Sequence, residues 1–432
     1  VPDEVFTHYG KKPPRRVPDK PRKTKVTMFP DDFDMSYYVV EADKLHVVVD
    51  GFAYDFGTGG IHGSVSNQVF RKNPILNRII MDVDVASYYP NMAIHNDLFP
   101  AHLGQAFCPI YLSMYELRKS FDKETHPLEN LAIKLALNGA YGNSNNAHSF
   151  LYDPQYTMTI TINGQLMLCM LAEQLMKIPG LNMIQINTDG MTYECDEFYR
   201  QHTLDLCRWW ESITKLELED EEYEAMYIRD VNNYTAVDMK GKIKQKSAYE
   251  HQLVRDSLWH KDFSALIVPM AAEAALLHGT DIETFLRGHT DYKHFCLRTK
   301  VNRNSKVVMR TPGLHDKELQ RITRYYVANR GGTLLKFMPP TQKQIDAWDN
   351  GIHYQHESTG AYVSKTPGVK PPSGKYKLVP DCDRRPKETK PTNLQSGWLS
   401  ADCSDMSDFD PSNINYDYYI KEVRKLVDPL VA

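Results

Sequence analysis

Apolar positions along the chain follow two different spacings, and each spacing predicts a type of secondary structure. Runs that are continuously apolar or that alternate with polar residues predict strands, at residues 36–70, 79–86, 184–193 and beyond 225. Apolar residues three and four positions apart predict helices, just beyond Pro90 and at 111–122, 127–142, 161–177, about 264–330 and from Tyr416. The helices at 111–122 and 127–142 are joined by a short connection, which is typical of an antiparallel pair. This order of elements predicts an α+β fold.

Composition narrows the class of protein. The chain has 432 residues, 42% hydrophobic and 25% charged, which is typical of a soluble globular protein with one large or two to three ordinary domains. Its seven cysteines include no close pair, which argues against a zinc knuckle or a disulfide framework and favours a reducing compartment. No apolar run approaches the roughly 20 residues of a membrane span. Because the chain begins with Val, we interpret it as a fragment, a processed chain or part of a split gene.

Charge is segregated along the chain although the formal net charge is only −4. Residues 11–25 carry eight Lys or Arg and one Asp, and residues 293–310 carry six basic side chains and no acidic one. Acidic residues gather instead at 216–224. Segregated basic stretches can supply contacts to phosphates, although a solvated tail or face has the same composition. We expect residues 1–35 to form a flexible basic arm.

The first segment with candidate chemistry is D-V-A-S-Y-Y-P-N, residues 84–91. Asp84 ends an apolar strand, and Pro90 cannot continue strand pairing. A carboxylate at a strand end, followed by a turn, is well placed to bind a cation. A plain strand-end cap would have the same sequence.

The second segment is K-L-A-L-N-G-A-Y-G, residues 134–142. Lys134, Asn138 and Tyr141 recur at helical spacing, so one helix face shows a cation, an amide and an aromatic ring. Such a face could bind a triphosphate and pack against a base pair, or it could be an incidental polar face. The other side carries the leucines that we expect to be buried, Leu131, Leu135 and Leu137.

The third segment is N-T-D-G, residues 187–190, which lies between two alternating runs. Asp-Gly in that context is typical of a hairpin turn, because Gly tolerates the positive φ of tight turns. Asp189 is then either turn chemistry or a metal ligand at the hairpin tip. Two carboxylates from separate strands can hold two Mg²⁺ ions about 3.5–4 Å apart, which suits phosphoryl transfer.

In this order the three segments resemble motifs A, B and C of the family B DNA polymerases, particularly those of bacteriophages and other viruses. Residues 84–90 are similar to D-x-x-S-L-Y-P, with Tyr88 in place of Leu. Residues 134–142 are similar to K-x-x-x-N-S-x-Y-G, with Gly139 in place of Ser. Residues 187–190 are similar to D-T-D-S, with Asn and Gly at the outer positions.

The resemblance extends over residues 50–330 and the last twenty. Residues 232–234 and 240–246 are similar to the family's K-x-Y region and the lysine-rich strand after it, and 414–426 resemble its last thumb helix. D-I-E-T at 281–284 imitates an exonuclease motif, but it follows motif C, so Asp281 is better explained as a helix N-cap. No proofreading site is visible, and we expect the exonuclease domain to be lost, cut away or separately encoded.

The resemblance implies a right-hand architecture of palm, fingers and thumb. The expected parts are the arm at 1–35, palm at 36–110, fingers helix pair at 111–145, palm at 146–250, and thumb and C-terminal region at 251–432. The implied partners are primer–template DNA, dNTPs and possible separate exonuclease or processivity subunits, with no membrane. The implied location is the cytoplasm of the host cell, bacterial if the source is a phage.

Site roles are also implied by the resemblance. Asp84 and Asp189 would be catalytic and, with the Val85 carbonyl, would bind two Mg²⁺ or Mn²⁺ ions. Tyr89 would be a steric gate that excludes a 2′-hydroxyl. The residues expected to bind nucleotide are Ser87, Tyr88, Tyr89, Arg118, Lys119, Lys134 and Asn138, with Lys123 a further phosphate ligand. The residues expected at DNA are Tyr141, Gly142, Asn187, Thr188, Tyr234, Lys240, Lys242, Lys244 and Lys246.

These roles predict a DNA-directed DNA polymerase of viral genome replication, without a 3′–5′ exonuclease in this chain. Asn187 replaces the first acid of motif C and motivates the alternative, a pseudo-polymerase that binds primer–template DNA without efficient catalysis. An RNA-dependent polymerase with a similar palm is a third possibility. We expect Asp82 to be structural. The alternating lysines of 240–246 could equally protect an edge strand against aggregation.

Overall fold

The structure, a computed structural model, describes residues 22–24, 38–40, 45–251, 264–340, 351–358, 362–365, 372–378 and 391–431. The chain divides into two compact units, the described parts of Val1–Lys261 with Lys425–Ala432, and those of Asp262–Arg424. Of the predicted basic arm, only 22–24 is described, and the rest lies outside the described residues. That segment is strand β1 (Arg22–Thr24), which pairs in parallel with β2 (Tyr38–Val40).

The first unit is built on a ten-stranded sheet. Its strands are β3 (Leu45–Val49), β4 (Phe52–Gly57), β5 (Gly60–Ser64), β6 (Gln68–Arg71), β7 (Arg78–Val85), β8 (Asn182–Asn187), β9 (Gly190–Asp196), β10 (Leu218–Asp230), β11 (Asn233–Asp238) and β12 (Ile243–Gln245). The spatial order is β12-β11-β10-β7-β9-β8-β5-β4-β3, and β6 pairs with the second half of β10. Strand β7 therefore lies in the interior of the sheet, between β10 and β9.

Five helices accompany this sheet in the described residues: α1 (Tyr88–His95), α2 (Phe107–Ser120), α3 (Pro127–Asn143), α4 (Pro154–Leu175) and α5 (Arg200–Thr214). The first begins two residues before Pro90, because proline is tolerated in the first turn of a helix. The fourth begins well before the predicted start at 161. Its opening turn is capped by the Asp153 side chain, which accepts from the backbone N–H of Tyr156.

The core explains why β7 is almost continuously apolar. Ile79, Met81 and Val83 belong to a cluster that includes side chains of α4 and α5. Ile80, on the other face of the strand, packs in a second cluster with Tyr223 and further residues of β8, β10 and β11. Because successive side chains point to opposite faces, a strand buried on both sides loses the alternating pattern.

The helix pair α2–α3 forms as the sequence predicts, but its expected apolar face is only partly correct. Leu137 is buried at 1% exposure, whereas the Leu135 side chain is 60% exposed and Leu131 is half-buried. In the described structure α3 packs against α1 and α2. These neighbours cover one side of the helix only, and Leu135 faces solvent.

The second unit begins with α6 (Ile267–His278) and α7 (Ile282–Gly288). Asp281 caps α7 by accepting from the Thr284 N–H at 2.8 Å, as predicted. The helical pattern predicted as far as 330 is wrong beyond Gly288, where the chain forms strands. The segment is rich in Val, Thr and Tyr, which favour the pleated surface of a sheet over a helix.

Within the described residues of the second unit, the strands form three small sheets. The first sheet contains β13 (Leu297–Lys300), β16 (Ile322–Ala328) and β22 (Leu399–Asp402). The second contains β14 (Lys306–Arg310), β15 (Lys317–Leu319), β17 (Thr333–Phe337) and β21 (Thr392–Asn393), and the third contains β18 (Ile352–His356), β19 (Tyr362–Lys365) and β20 (Tyr376–Leu378). The last helix, α8 (Tyr416–Val431), begins where the sequence predicts.

The mixed helix and sheet content agrees with the predicted α+β class. The palm, fingers and thumb boundaries stay predictions. Among the described helices, none combines the length and the apolar character that crossing a lipid bilayer requires.

Candidate active site

Two carboxylates meet at neighbouring strand ends. Asp84 is the penultimate residue of β7, and Asp189 lies in the turn between β8 and β9. Strands β7 and β9 are antiparallel, with Asp84 directly opposite Gly190. The Val85 N–H donates to the Asp189 carbonyl oxygen at 2.7 Å. The sheet register therefore brings together two acids that are far apart in the sequence.

The tip of the β8–β9 hairpin is held by strand β5. Thr188 has a left-handed backbone with φ of 38°, which is uncommon for a β-branched residue. Its N–H donates to the Ile61 carbonyl at 2.8 Å, and its hydroxyl lies 3.0 Å from His62 Nε2. These bonds fix the backbone of the turn that contains Asp189.

Glycine is required at position 190 because neighbouring atoms occupy the space that a side chain would need. A Cβ atom at this position would lie 2.6 Å from the Val83 carbonyl oxygen and 2.7 Å from Asp84 Oδ1. Real Cβ atoms essentially never make such contacts, so a side chain here would displace the Asp84 carboxylate. The departure from the Ser of D-T-D-S thus has a local steric reason that the sequence alone does not reveal.

Electrostatic repulsion and burial act on both acids. Burial, the neighbouring Asp189 and then Asp82 raise the pKa of Asp84 to about 7, against an opposing effect of Lys244. Burial also raises the pKa of Asp189, and Lys246 and Lys134 oppose that shift. Both side chains keep solvent-accessible surface at the mouth of a recess. A bound proton or a bound cation reduces the repulsion between two such carboxylates.

Basic and polar side chains of the helix pair share a cavity of about 830 Å³ with the two acids. The helices contribute Arg118, Lys119, Lys134, Asn138 and Tyr141, and the connection between them contributes Lys123. The structure therefore brings together residues that the sequence assigned to nucleotide binding and to metal binding. One cavity holds acids that suit a cation and cations that suit a phosphate chain.

Two of the basic residues already have partners. Arg118 Nη1 donates to the Ser87 hydroxyl at 2.6 Å, and its Nε lies 3.4 Å from Asn130 Oδ1. Lys119 Nζ lies 3.3 Å from Glu217 Oε2, in an exposed pair. Exposed pairs of this kind contribute little stability, so the lysine can exchange partners at small cost.

The two adjacent tyrosines have different surroundings. Tyr88 is buried, and its hydroxyl donates to the Gly164 carbonyl at 2.6 Å. Its side chain therefore anchors α1 to α4, while the residue also lines the cavity, and its role in nucleotide binding stays a prediction. Tyr89 is half-buried, its ring centroid lies 4.2 Å from that of Tyr141, and its hydroxyl donates to the Gly59 carbonyl at 2.7 Å.

The predicted DNA-contacting residues are not all accessible. Tyr141 and Thr188 line the cavity, Gly142 is exposed at the end of α3, and Asn187 is half-buried beside the hairpin turn. Tyr234 is 3% exposed and packs in the second core cluster, so it is not available to DNA. The apolar cluster around β10 accounts for its burial, which the motif match did not foresee.

The predicted lysine-bearing strand is shorter than expected. Only Ile243–Gln245 is a strand, while Lys240 and Lys242 lie in the preceding turn and Lys246 follows the strand, all three exposed. Backbone N–H groups of Lys240 and Lys242 both donate to Asp238 Oδ1. The four lysines therefore do not form the regular row that alternation predicts.

Lys244 is turned toward the protein. Its Nζ lies 2.9 Å from Asp82 Oδ2 and 2.7 Å from the Tyr223 hydroxyl. Asp82 also accepts from Tyr223 at 2.6 Å and from Thr192 at 2.5 Å. Asp82 thus has structural partners, as expected, whereas the assignment of Lys244 to DNA is corrected because its ammonium is engaged in this network.

Some residues at the site were missed by the sequence interpretation. Glu219 stands opposite Asp84 on β10 and lines the cavity together with Glu217. The acidic stretch 216–224 was the available signal, but nothing local indicates that it pairs with β7. The turn at residues 57–60, in contrast, has a glycine-rich sequence that indicates close backbone approach, and it contacts Tyr89.

The donor set fits magnesium. Among the described residues, no group of three or more His, Cys, Asp or Glu side chains could hold a metal ion. Asp84 and Asp189 with the Val85 carbonyl instead resemble the usual Mg²⁺ arrangement, in which one or two carboxylates are completed by water and substrate phosphates.

Comparison with known proteins gives no match among family models and none among curated proteins. Among solved structures, 169 chains match. One of them is the family B DNA polymerase from the hyperthermophilic archaeon Pyrobaculum calidifontis, with 14% sequence identity and a TM-score of 0.39. The match covers 84% of this chain and 45% of that one, so this chain spans less than half the length of the archaeal polymerase. The likeness is weak.

Proposed function

We propose that this chain is a DNA-directed DNA polymerase that extends a primer with dNTPs by two-metal-ion nucleotidyl transfer. The observation that carries the proposal is the single cavity in which Asp84 and Asp189 share space with the basic face of the helix pair. Phosphoryl transfer needs positioning and charge stabilisation more than covalent chemistry, and this cavity offers both. In this proposal the sheet is the palm, α2–α3 are the fingers, and the second unit belongs to the thumb region.

Asp84, Asp189 and the Val85 carbonyl would hold the magnesium ions. When bound, these ions would supply activation of the primer 3′-hydroxyl and neutralisation of the charge on the departing pyrophosphate. The protein's own contribution is to align the two carboxylates. Burial raises the pKa of both acids, and repulsion by Asp189 adds to the shift of Asp84, so an ionised pair is favoured only when a cation is present.

The helix residues would bind the triphosphate. Lys134 and Lys119 offer ammonium groups, and Arg118 a guanidinium fixed by Ser87, to the phosphate oxygens. The ring of Tyr89, packed on Tyr141, would lie beneath the sugar and exclude a 2′-hydroxyl. These groups orient the substrate and stabilise charge without forming a covalent bond to it.

A DNA-binding module without efficient catalysis is the second candidate function. Asn187 favours it, because an amide at this position removes a negative charge from the hairpin. The retained Asp84, Asp189 and Lys134 favour the enzyme. Under either function primer–template DNA is the proposed partner.

The test is extension of a labelled DNA primer on a DNA template with dNTPs and Mg²⁺. We expect extension by the wild type, none by Asp189→Ala, and normal extension by Asp205→Ala, which removes an exposed carboxylate on α5 outside the cavity. If none of the three proteins extends the primer but primer–template binding is retained, the result would favour the second candidate function, a DNA-binding module without efficient catalysis. Extension on RNA templates alone would favour an RNA-dependent enzyme.

A further inference from the structure

The turn at residues 57–60, here called the glycine turn, joins β4 to β5 and contacts three separate parts of the candidate site. Its Gly59 carbonyl accepts from the Tyr89 hydroxyl at 2.7 Å. Its Gly57 carbonyl accepts from Gln165 Nε2 at 2.6 Å. In β5, the strand that follows the turn, the Ile61 carbonyl accepts from the Thr188 N–H. One short turn thus connects the tyrosine, helix α4 and the hairpin that bears the second acid.

At Gly60 the glycine turn has no free space beside the tyrosine. A Cβ atom on Gly60 would lie 3.0 Å from the Tyr89 hydroxyl oxygen and 3.0 Å from Thr188 Cγ2. Gly60 also has φ of 140°, a conformation that L side chains rarely adopt. Glycine here allows the backbone to approach the tyrosine and the hairpin at the same time.

Gln165 holds the turn from the interior. It is 4% exposed on α4, and its bond to the Gly57 carbonyl is part-buried. A buried donor that loses its acceptor keeps the full cost of desolvation, which favours the fixed geometry. The amide therefore limits how far the turn can move away from Tyr89.

The Tyr89 ring is held by two ring contacts and by a hydrogen bond at its hydroxyl end. The ring centroids of Tyr141 and Tyr88 lie 4.2 Å and 5.7 Å from that of Tyr89, and the Gly59 carbonyl accepts from its hydroxyl. Without the hydrogen bond the ring could pivot about its own side-chain torsions, since terminal torsions of Tyr are broad. A pivoting ring excludes a 2′-hydroxyl less strictly than a fixed one.

We propose that the glycine turn, held by Gln165, is a positioning element that fixes the Tyr89 ring and thereby sets the preference for deoxyribonucleoside over ribonucleoside triphosphates. This proposal rests on the proposed polymerase function and on Tyr89 as the sugar-contacting residue. Gln165 acts through the turn and does not itself touch the nucleotide.

The experiment measures kcat/KM for a dNTP and for the matching rNTP on one primer–template, in wild type, Gln165→Met and Tyr89→Phe. Methionine keeps the length of glutamine without its donor, and phenylalanine keeps the ring without the hydroxyl. For both variants we expect the dNTP-to-rNTP ratio to fall by about tenfold, the factor that corresponds to the loss of one hydrogen bond. The change should come mainly from a raised kcat/KM for the rNTP.

The double variant supplies the decisive comparison. Because both substitutions break the same chain of contacts, Gln165→Met/Tyr89→Phe should lower the ratio no further than either alone. Gln174→Met, an equivalent substitution near the end of α4, is the matched control and should leave the ratio unchanged. Thermal unfolding of each variant identifies one that does not fold, and Tyr89→Phe keeps the test valid if Gln165→Met does not.

The outcomes separate this inference from the function on which it rests. One outcome is that the wild type incorporates dNTPs while the dNTP-to-rNTP ratio stays unchanged in folded Tyr89→Phe and Gln165→Met. In that case the positioning role is wrong and the proposed polymerase function is retained. Additive losses in the double variant would also overturn the coupling through the turn. If the wild type incorporates neither nucleotide, the proposed function fails and this inference fails with it.

Discussion

Asp84 and Gly190 stand directly opposite each other on neighbouring antiparallel strands, and the absence of a side chain on Gly190 leaves the space that the Asp84 carboxylate fills. A Cβ there would lie 2.7 Å from Asp84 Oδ1. The pairing ties the two acids of the site together, because Gly190 follows Asp189 in the hairpin. A displacement of Gly190 would therefore change the position of Asp189 relative to Asp84.

Gly190→Ala is expected to abolish primer extension and to destabilise the first unit. The added methyl group must push apart β7 and β9, and overpacking of this kind costs on the order of 1–3 kcal/mol. Urea unfolding followed by far-UV circular dichroism measures the stability, and the primer assay measures the activity.

Gly288→Ala is the matched control for that substitution. Gly288 has nothing within 4 Å of an added Cβ and lies at the end of α7 in the other unit. It should change neither stability nor extension appreciably. Full activity of Gly190→Ala would show that the close approach to Asp84 does not govern the site.

Asp84→Asn is expected to inactivate the protein while raising its melting temperature at pH 8 without metal. The pKa of Asp84 is raised to about 7 in the folded chain, above its unfolded value of about 3.9. The folded state therefore binds the extra proton between these values, and stability falls as pH rises through that window. Because the carboxylate is partly exposed and screened, we expect about 1 kcal/mol, or roughly 2–4 °C.

Differential scanning calorimetry in EDTA, from pH 5 to pH 8, measures this difference between wild type and Asp84→Asn. The two proteins should converge at the acid end, where the wild-type carboxyl is protonated. Added Mg²⁺ should stabilise the wild type at pH 8 more than the variant. Equal stabilisation of both by Mg²⁺ would argue against Asp84 as a metal ligand.

Lys244→Met is expected to affect stability more than DNA binding. Burial alone lowers the pKa of Lys244, but the nearby Asp82 and Tyr234 raise it, and the net shift is upward. Removing the ammonium leaves the Asp82 carboxylate partly unpaired, at a cost of about 1–3 kcal/mol after allowance for solvent access. Asp82→Asn in the same chain should recover part of that loss, which denaturant unfolding can measure.

Lys242→Ala supplies the contrast, because Lys242 is exposed. If it contacts backbone phosphate, the slope of log K against log salt for primer–template binding should become shallower by about 1. Lys244→Met should leave that slope unchanged. A slope change in Lys244→Met equal to that in Lys242→Ala would place both lysines on DNA.

Lys134→Ala is expected to lower kcat/KM for dNTPs by about tenfold to a hundredfold, since a charge-assisted bond to phosphate is worth roughly 1.5–3 kcal/mol. Single-turnover kinetics over a range of dNTP concentrations measures the loss. Lys177→Ala, which removes an exposed lysine after α4 outside the cavity, should have no such effect. Equal kinetics in both variants would remove Lys134 from the triphosphate site.

Local patterns predicted the parts of the fold that depend on neighbouring residues. The helix pair, the hairpin around Asp189 and the strand before Asp84 all form where spacing and turn residues place them. The error beyond Gly288 arose because irregular alternation in short strands resembles helical spacing. Pairing between distant strands, such as β10 beside β7, leaves no local signal.

Within the candidate site, the motif positions predicted which segments converge but not where each side chain points. Tyr88 and Tyr89 are adjacent and chemically identical, yet the hydroxyl of Tyr88 donates to Gly164 of α4 and that of Tyr89 donates to Gly59. The direction depends on the start of α1, since consecutive residues of a helix project about 100° apart. For Lys244, the deciding partner Asp82 lies on a distant strand.

The β8–β9 hairpin is paired on both sides, with β5 and with β7, whereas α2 and α3 leave apolar side chains such as Ile110 and Leu135 in solvent. We therefore expect the two acids to lie on a more rigid part of the unit than the cations. Amides of Met191 and Thr192 should exchange with deuterium slowly, and those of α2 and α3 quickly. Such a difference would mean that changes in the width of the cavity come from the helices and not from the pair of carboxylates.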